Sequence, residues 1–375
     1  LHRSNRRCGG CGVGGKLLGR EYIAGGQALA AGLFAGVLRA GIPIWTDTAL
    51  VRLTGDGQRV TGAVLSHGGR EVTVSATRGV VLAAGGFDHD MAMRHKYQSD
   101  SLGAHESLGA DSNTGEAIRA ATDVGAATAL MEQAWWFPAV ASADGRPPAV
   151  LLAERSLPGS LIVDQDGKRF ANESTDYMSF GQRVLELERA GTPVESMWIV
   201  FDQKYRNSYV FAAGSFPRMP LPKSWYRAGI AAKATTFAEL AAQMGVPVAD
   251  FEHTMTRFNE SAAAGIDPDF DRGLSAYDRY YGDPTVTPNP NLRPLVKGPF
   301  YAVKMTLSDL GTCGGVVADE RGRVRREDGG VIEGLYALGN TAANAFGAVY
   351  PGAGATIAQG LVYGYIAGRD AAGQL

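Results

Sequence analysis

Gly334-Leu335-Tyr336-Ala337-Leu338-Gly339-Asn340, followed by Tyr350-Pro351-Gly352-Ala353-Gly354-Ala355-Thr356 and an apolar run to Ala367, decides how this chain is read. The first block has the make-up of a buried strand ending in a Gly/Asn loop, and the second is a Gly-rich turn that opens a helix. α/β folds use that order of elements to aim backbone N–H groups and a helix N-terminus at an anionic ligand. Tyr350 stands at the helix mouth, so a phenol, an oxyanion site and a bound anion are expected to converge within one segment.

Working outward, Val80-Val81-Leu82-Ala83-Ala84 closed by Gly85-Gly86 reads as another strand, a fully apolar run of the kind buried in a parallel sheet. Ahead of it lie a helical pattern over residues 16–39, a strand over 41–46, and a meander through 49–53, 60–65 and 71–74 with Gly-rich turns between. From about Asp111 the texture changes. Asn113-Thr114-Gly115-Glu116 reads as a helix start, Trp135-Trp136-Phe137-Pro138 as an aromatic cluster, and residues 164–170 as a hairpin turn. Helices are expected over 237–244 and 248–264, and the Pro- and Tyr-rich stretch 277–299 reads as a loop or lid. Gly-rich strand-loop-helix texture returns from Ser308. The expected fold class is α/β (α+β): a discontinuous Rossmann-like domain from residues 1–104 and 306–375, with an α+β substrate domain inserted over 105–305.

The 375 residues carry a net charge of -2, which gives no electrostatic footprint for nucleic acid. No window approaches the roughly 18 consecutive apolar residues of a membrane span, and the basic N-terminus lacks a following apolar segment, so a cytoplasmic protein is expected. Cys8, Cys11 and Cys313 are too few for a disulfide framework, and Cys8-Gly-Gly-Cys11 has no second ligand pair, so no metal site is expected. The 50 glycines imply many tight turns and close backbone approaches.

Five motifs in order, Val80–Asp88, Asn113–Glu116, Arg169-Phe170-Ala171-Asn172-Glu173-Ser174, Gly311–Gly315 and Tyr350–Gly354, resemble the flavoprotein superfamily of fumarate reductases and 3-ketosteroid dehydrogenases, most closely the 3-ketosteroid Δ1-dehydrogenases. The resemblance implies an FAD cofactor contacted by Ala84, Gly85, Gly86, Gly339, Asn340, Ala355 and Thr356, with the adenine near Ala49. It also exposes a departure. Gly10-Cys11-Gly12-Val13-Gly14-Gly15 matches GxGxxG literally but follows a polar stretch, and no acidic residue ends a second strand about twenty residues on. The usual pyrophosphate-binding segment is therefore expected to be missing from this sequence, and FAD binding by the chain as written to be weak.

The resemblance also implies the reaction: FAD-dependent desaturation of a 3-ketosteroid between C1 and C2. Tyr350 and the Gly354 N–H would hold the ketone oxygen and Tyr177 would take the α-proton. In fumarate reductases arginines stand at both tyrosine positions, so two phenols argue for a neutral ketone over a dicarboxylate. An unperturbed phenol lies about three units from ionisation at neutral pH, roughly 4 kcal/mol, so a donor must lower it. The family's second tyrosine for that task would fall before Leu1, and activity is expected to rise toward alkaline pH. Trp135, Trp136, Tyr280 and Tyr281 are further candidates for an apolar slot, while His89, His95 and His105 read as surface or satisfied histidines. The alternatives are a Δ4-(5α) ketosteroid dehydrogenase, a fumarate-reductase-like enoate reductase, or a steroid-binding remnant; the electron acceptor is open.

Overall fold

The computed structural model describes residues 22–142, 147–212 and 214–375. Cys8, Cys11 and the GxGxxG match lie outside them. The chain divides into two compact units, residues 1–49 with 66–70, and residues 50–65 with 71–375.

The smaller unit carries the helix Gly25–Arg39, in line with the 16–39 pattern where it is described. Residues 41–46 are not a strand. A strand exists only through its ladder, and among the described residues none pairs with this run; Ile42, Ile44 and Trp45 stand exposed. Trp45 packs on His67 with ring centroids 5.3 Å apart.

The meander forms as expected: β1 (Thr48–Gly55), β2 (Val60–His67) and β3 (Arg70–Ser75), in that spatial order. In the larger unit β4 (Val80–Leu82) runs parallel to β14 (Val331–Ala337), placing Val80, Val81 and Leu82 beside Leu335, Tyr336 and Ala337. β13 (Arg323–Arg325) lies antiparallel on the other side of β14. The expectation of a wholly buried β4 is corrected: it forms the edge of this described sheet and Val81 is 44% exposed.

A six-stranded sheet fills the middle of the chain, with β6 (Ala134–Val140), β9 (Met197–Asp202) and β10 (Ala231–Ala234) all antiparallel to the 13-residue β11 (Phe300–Thr312). β7 (Ala149–Val150) extends it beyond β6, and β8 (Ser160–Val163) beyond β9. Period-two alternation sorts its residues into two cores. Ile162, Ile199 and Phe201 face one with Trp135 and Phe180, whereas Leu161, Val163, Trp198 and Val200 face the other with Leu240 and Phe251. Two-residue pairs β5 (Thr128–Ala129) and β12 (Gly315–Val316) complete the strands.

The helices Phe237–Met244 and Val248–Ala264 occupy their expected spans. Thr236 and Glu239 form a capping box at the first, and Gly245 and Gly265 close the two in the left-handed region that glycine adopts without a Cβ penalty. Residues 164–168 do turn, with Asp164 N–H donating to the Lys168 carbonyl, but β8 pairs with β9 and no hairpin follows. The 277–299 stretch opens with the end of a short helix, Ala276–Tyr280, and continues without regular structure, anchored by the fully buried Asn291 and by Leu292 and Leu295, which join a core. No helix among the described residues is long and apolar enough to cross a membrane.

Candidate active site

The parallel pair β4/β14 brings two Gly loops together at one sheet edge. Leu338 N–H donates to the Leu82 carbonyl at 3.1 Å, and the Thr341 hydroxyl donates to the Gly85 carbonyl at 2.8 Å. Ala84, Gly85 and Gly86 thus sit beside Gly339 and Asn340. The helix Ala355–Ala371 joins the same cluster through Gln359, whose amide donates to the Gly339 carbonyl at 3.2 Å and accepts from Ala345 N–H at 3.1 Å. Ala49 belongs to the smaller unit and is exposed.

The glycines separate by what surrounds them. A Cβ on Gly85 would meet the Asn113 side-chain oxygen at 2.1 Å, and one on Gly86 the Thr312 hydroxyl at 1.9 Å, so both are required by packing. Gly339, Gly352 and Gly354 have φ of +59°, +136° and +92° and face open space. Gly354 caps the 17-residue helix Ala355–Ala371 without a side-chain bond to its first N–H groups. Free N–H groups and the helix dipole favour an anion at such a terminus. A cavity of about 340 Å³ opens beside Gly339, lined also by Asn344, Gln359 and Tyr363. Open left-handed glycines at this helix start leave the backbone accessible to a ligand.

Tyr177 is the first residue of the helix Tyr177–Arg189, whose start is fixed by Asp176 accepting from Ser179 N–H at 2.9 Å. Its ring packs on Phe137 at 4.3 Å between centroids and on Tyr350 at 5.0 Å. Tyr350 in turn meets Trp135 edge-on at 5.9 Å, and the Trp135 indole N–H donates to Asn340 Oδ1 at 3.2 Å. Trp135 and Phe137, spaced i and i+2 on β6, therefore link the two phenols to the Gly339-Asn340 loop. Gln182 adds a second link, its amide donating to the Ala348 carbonyl and to Gln133 Oε1, each at 2.9 Å.

The structure brings Tyr177 and Tyr350 together and adds Tyr281, named at the sequence level only for an apolar slot. The Tyr177 hydroxyl donates to the Tyr281 hydroxyl at 2.8 Å. Tyr277 closes on the same cluster, its ring centroid 5.6 Å from that of Tyr281. Nothing in local sequence pairs Tyr177 with a residue about a hundred positions away. Trp136 and Tyr280 fall outside: Trp136 is buried against Gly181 and under the Arg94 guanidinium at 5.7 Å, and Tyr280 is 78% exposed. His89 and His95 contact the Gly109 and Leu102 carbonyls.

Burial is the largest influence on these phenols. It pushes Tyr177 well above the usual phenol range, reinforced by the bond to Tyr281, and it raises Tyr350 with the charges of Tyr281 and Asp176 behind it. Tyr277 is pushed up to about 12 by burial, against the opposing pull of Tyr177 and Arg155. Held protonated in this way, Tyr177 and Tyr350 are suited to donating to an uncharged oxygen.

The sequence profile of the family described as "FAD binding domain" matches residues 9–357. Over 371 residues the chain is 44% identical to a protein named 3-oxosteroid 1-dehydrogenase from Mycolicibacterium smegmatis, covering 96% of this chain and 64% of that one. It is 40% identical to a 4-oxocyclohexanecarboxylate 2-dehydrogenase from Sinomonas cyclohexanicum, covering 94% of this chain and 62% of the relative. Among solved structures it is similar to 3-ketosteroid delta1-dehydrogenase from Sterolibacterium denitrificans in complex with 1,4-androstadiene-3,17-dione, with a TM-score of 0.86 and 37% identity over 93% of this chain and 63% of that chain. The chain spans a little under two thirds of the length of the curated relatives it matches.

Proposed function

The chain belongs to the FAD binding domain family, and from that premise we propose that it serves FAD-dependent 1,2-desaturation of 3-ketosteroids. The observation that carries this reading is the pair of phenols, Tyr177 and Tyr350, 5.0 Å apart between ring centroids. The names of the most similar proteins and the steroid bound in the Sterolibacterium structure support the same substrate class.

In this reading the Tyr350 hydroxyl and the Gly354 N–H donate to the C3 oxygen, and the dipole of the helix Ala355–Ala371 adds to their field where charge develops. Tyr177 takes the C2 proton. The chemistry that FAD supplies when bound is acceptance of the C1 hydride. Ala84, Gly85, Gly86, Gly339, Asn340, Ala355 and Thr356 would hold it. Gly85 and Gly86 shape the loop through Asn113 and Thr312.

We assign residues 1–104 and 306–375 to the cofactor and 105–305 to the substrate. In support, one core draws Val60, Leu82, Ile332 and Leu335 together from both outer parts, while the two cores of the central sheet come mostly from the middle.

A second reading, a smaller cyclic ketone that bears a carboxylate, is favoured by the Sinomonas relative. The test is a purified yellow, flavin-absorbing protein that reduces an artificial electron acceptor with androst-4-ene-3,17-dione and less readily with 4-oxocyclohexanecarboxylate. The reverse preference selects the second reading, and colourless protein from a full-length gene product refutes both.

A further inference from the structure

The assignment of Tyr177 as a base leaves one problem. Every leading influence on its phenol raises its pKa, so a charge that favours the ionised form must come from elsewhere.

Arg155 lies in the short turn Glu154–Ser156 and is completely buried. Its guanidinium carbon stands 5.3 Å from the centroid of the Tyr177 ring and 5.8 Å from that of Phe180. Nη1 donates to the Glu173 carbonyl at 2.5 Å, while Nε and Nη2 have no partner among the described residues. The carboxylate that could have neutralised it is occupied: Glu173 Oε1 and Oε2 accept from Arg169 at 2.7 Å, and Arg272 lies 3.2 Å from Oε2. A buried cation bonded only to a backbone carbonyl is costly unless a countercharge appears beside it.

We propose that Arg155 is the positioning residue for Tyr177, its buried guanidinium providing the countercharge when the phenol gives up its proton. The inference rests on Tyr177 being the base of the reaction proposed above. The groups facing Tyr177 are Tyr277 and Tyr281 from the Ala276–Tyr280 segment and its end, Tyr350 from the C-terminal loop, Asp176 at its own helix cap, and Arg155; Arg272 lies behind Arg155. The tyrosines and Asp176 disfavour the phenolate, and Arg155 favours it. Tyr281 can rotate from accepting to donating once Tyr177 is ionised, because a hydroxyl does either. When the phenolate takes the α-proton, the substrate C–H bond breaks, the Tyr177 O–H bond forms, and its electron pair passes into the enolate, leaving Arg155 unpaired until the proton is released again.

The experiment measures two rates on the FAD-loaded enzyme with androst-4-ene-3,17-dione across pH: turnover, and deuterium exchange at the α-carbon in heavy water without an electron acceptor. Exchange reads proton abstraction alone. Arg155→Gln keeps a donor for the Glu173 carbonyl but removes the charge. A cation some 6 Å away at an effective dielectric of about 20 shifts an ionisation by about one to two units. The rising alkaline limb of both rates should move up by that amount, and kcat near neutral pH should fall roughly 3- to 100-fold, a range set by how far the stronger base compensates. KM should stay within about twofold, since Arg155 does not contact substrate. Arg155→Lys, which retains charge, should bring the limb back to within about half a unit of the native position.

A limb that stays in place in Arg155→Gln overturns the proposal, as does an Arg155→Lys enzyme displaced as far as the Gln variant. Should Arg155→Gln not fold, Arg155→Met, which also removes the charge, is read against the same expected shift. Native enzyme that neither exchanges nor turns over the steroid refutes the proposed function, a result distinct from native-like rates in Arg155→Gln.

Discussion

Gly181→Ala tests how closely the helix Tyr177–Arg189 is seated on β6. A Cβ at position 181 would lie 2.3 Å from Trp136 Cβ and 2.7 Å from its Cγ, both well inside ordinary contact, which begins at 3.4 Å. Neither atom is the far end of a flexible chain, and Trp136 is 1% exposed, so the helix itself must move. Overpacking costs about 1–3 kcal/mol, and a clash against the root of a buried indole belongs in the upper half of that range. Alanine returns about 1 kcal/mol of helix propensity relative to glycine. The net expectation is a loss of about 1–2 kcal/mol, read as a lower urea midpoint at unchanged m-value. Tyr177 lies one turn earlier on the same helix, so a displacement of about 1 Å should also cut kcat by about a hundredfold. A variant that is more stable by about 1 kcal/mol, as propensity alone dictates, would refute the close seating and the positional argument built on it.

Tyr350→Phe removes one of the two proposed donors to the ketone oxygen and should lower kcat by about 10²–10³-fold with the fold intact, checked by steady-state kinetics beside circular dichroism. Glu173→Gln leaves Arg169 and Arg272 facing a neutral amide where both now meet a carboxylate whose side chain is fully buried, so stability should drop by about 3–5 kcal/mol in denaturant titration. The buried phenols make stability fall in base. Their folded-state pKa values are raised, with Tyr277 and Tyr336 each pushed up to about 12 by burial first, so the neutral forms support the fold below the unfolded phenol value. The melting temperature should hold steady up to about pH 10 and decline above it, with a constant value through pH 12 as the contrary result.

The helices at 237–244 and 248–264 were legible because their stop and start signals are local. Thr236 with Glu239 closes a capping box within four residues, and Gly245 and Gly265 mark the ends. Each of the two Gly loops was legible as a turn after an apolar run, but their convergence comes from the parallel pairing of β4 with β14, which neither run specifies by itself. The 41–46 run has strand composition, yet pairing depends on a neighbour that composition does not specify. Tyr281 and Arg155 carried no signal for their roles. Each reaches Tyr177 through the tertiary path of the chain, Tyr281 by a hydroxyl-hydroxyl bond and Arg155 by its guanidinium against the ring. Gly85 and Gly86 read from sequence as a loop at a strand edge, and the packing of Asn113 and Thr312 against them, set by distant parts of the chain, was not legible there.

The Gln182 amide reaches the Ala348 carbonyl from the helix whose first residue is Tyr177, two positions before Tyr350. Both phenols therefore hang from one scaffold, and a swing of that helix carries them together instead of opening the gap between them. Substrate entry by parting Tyr177 from Tyr350 would have to break this amide bridge first. One side chain that touches neither phenol directly thus ties together the two segments that carry them.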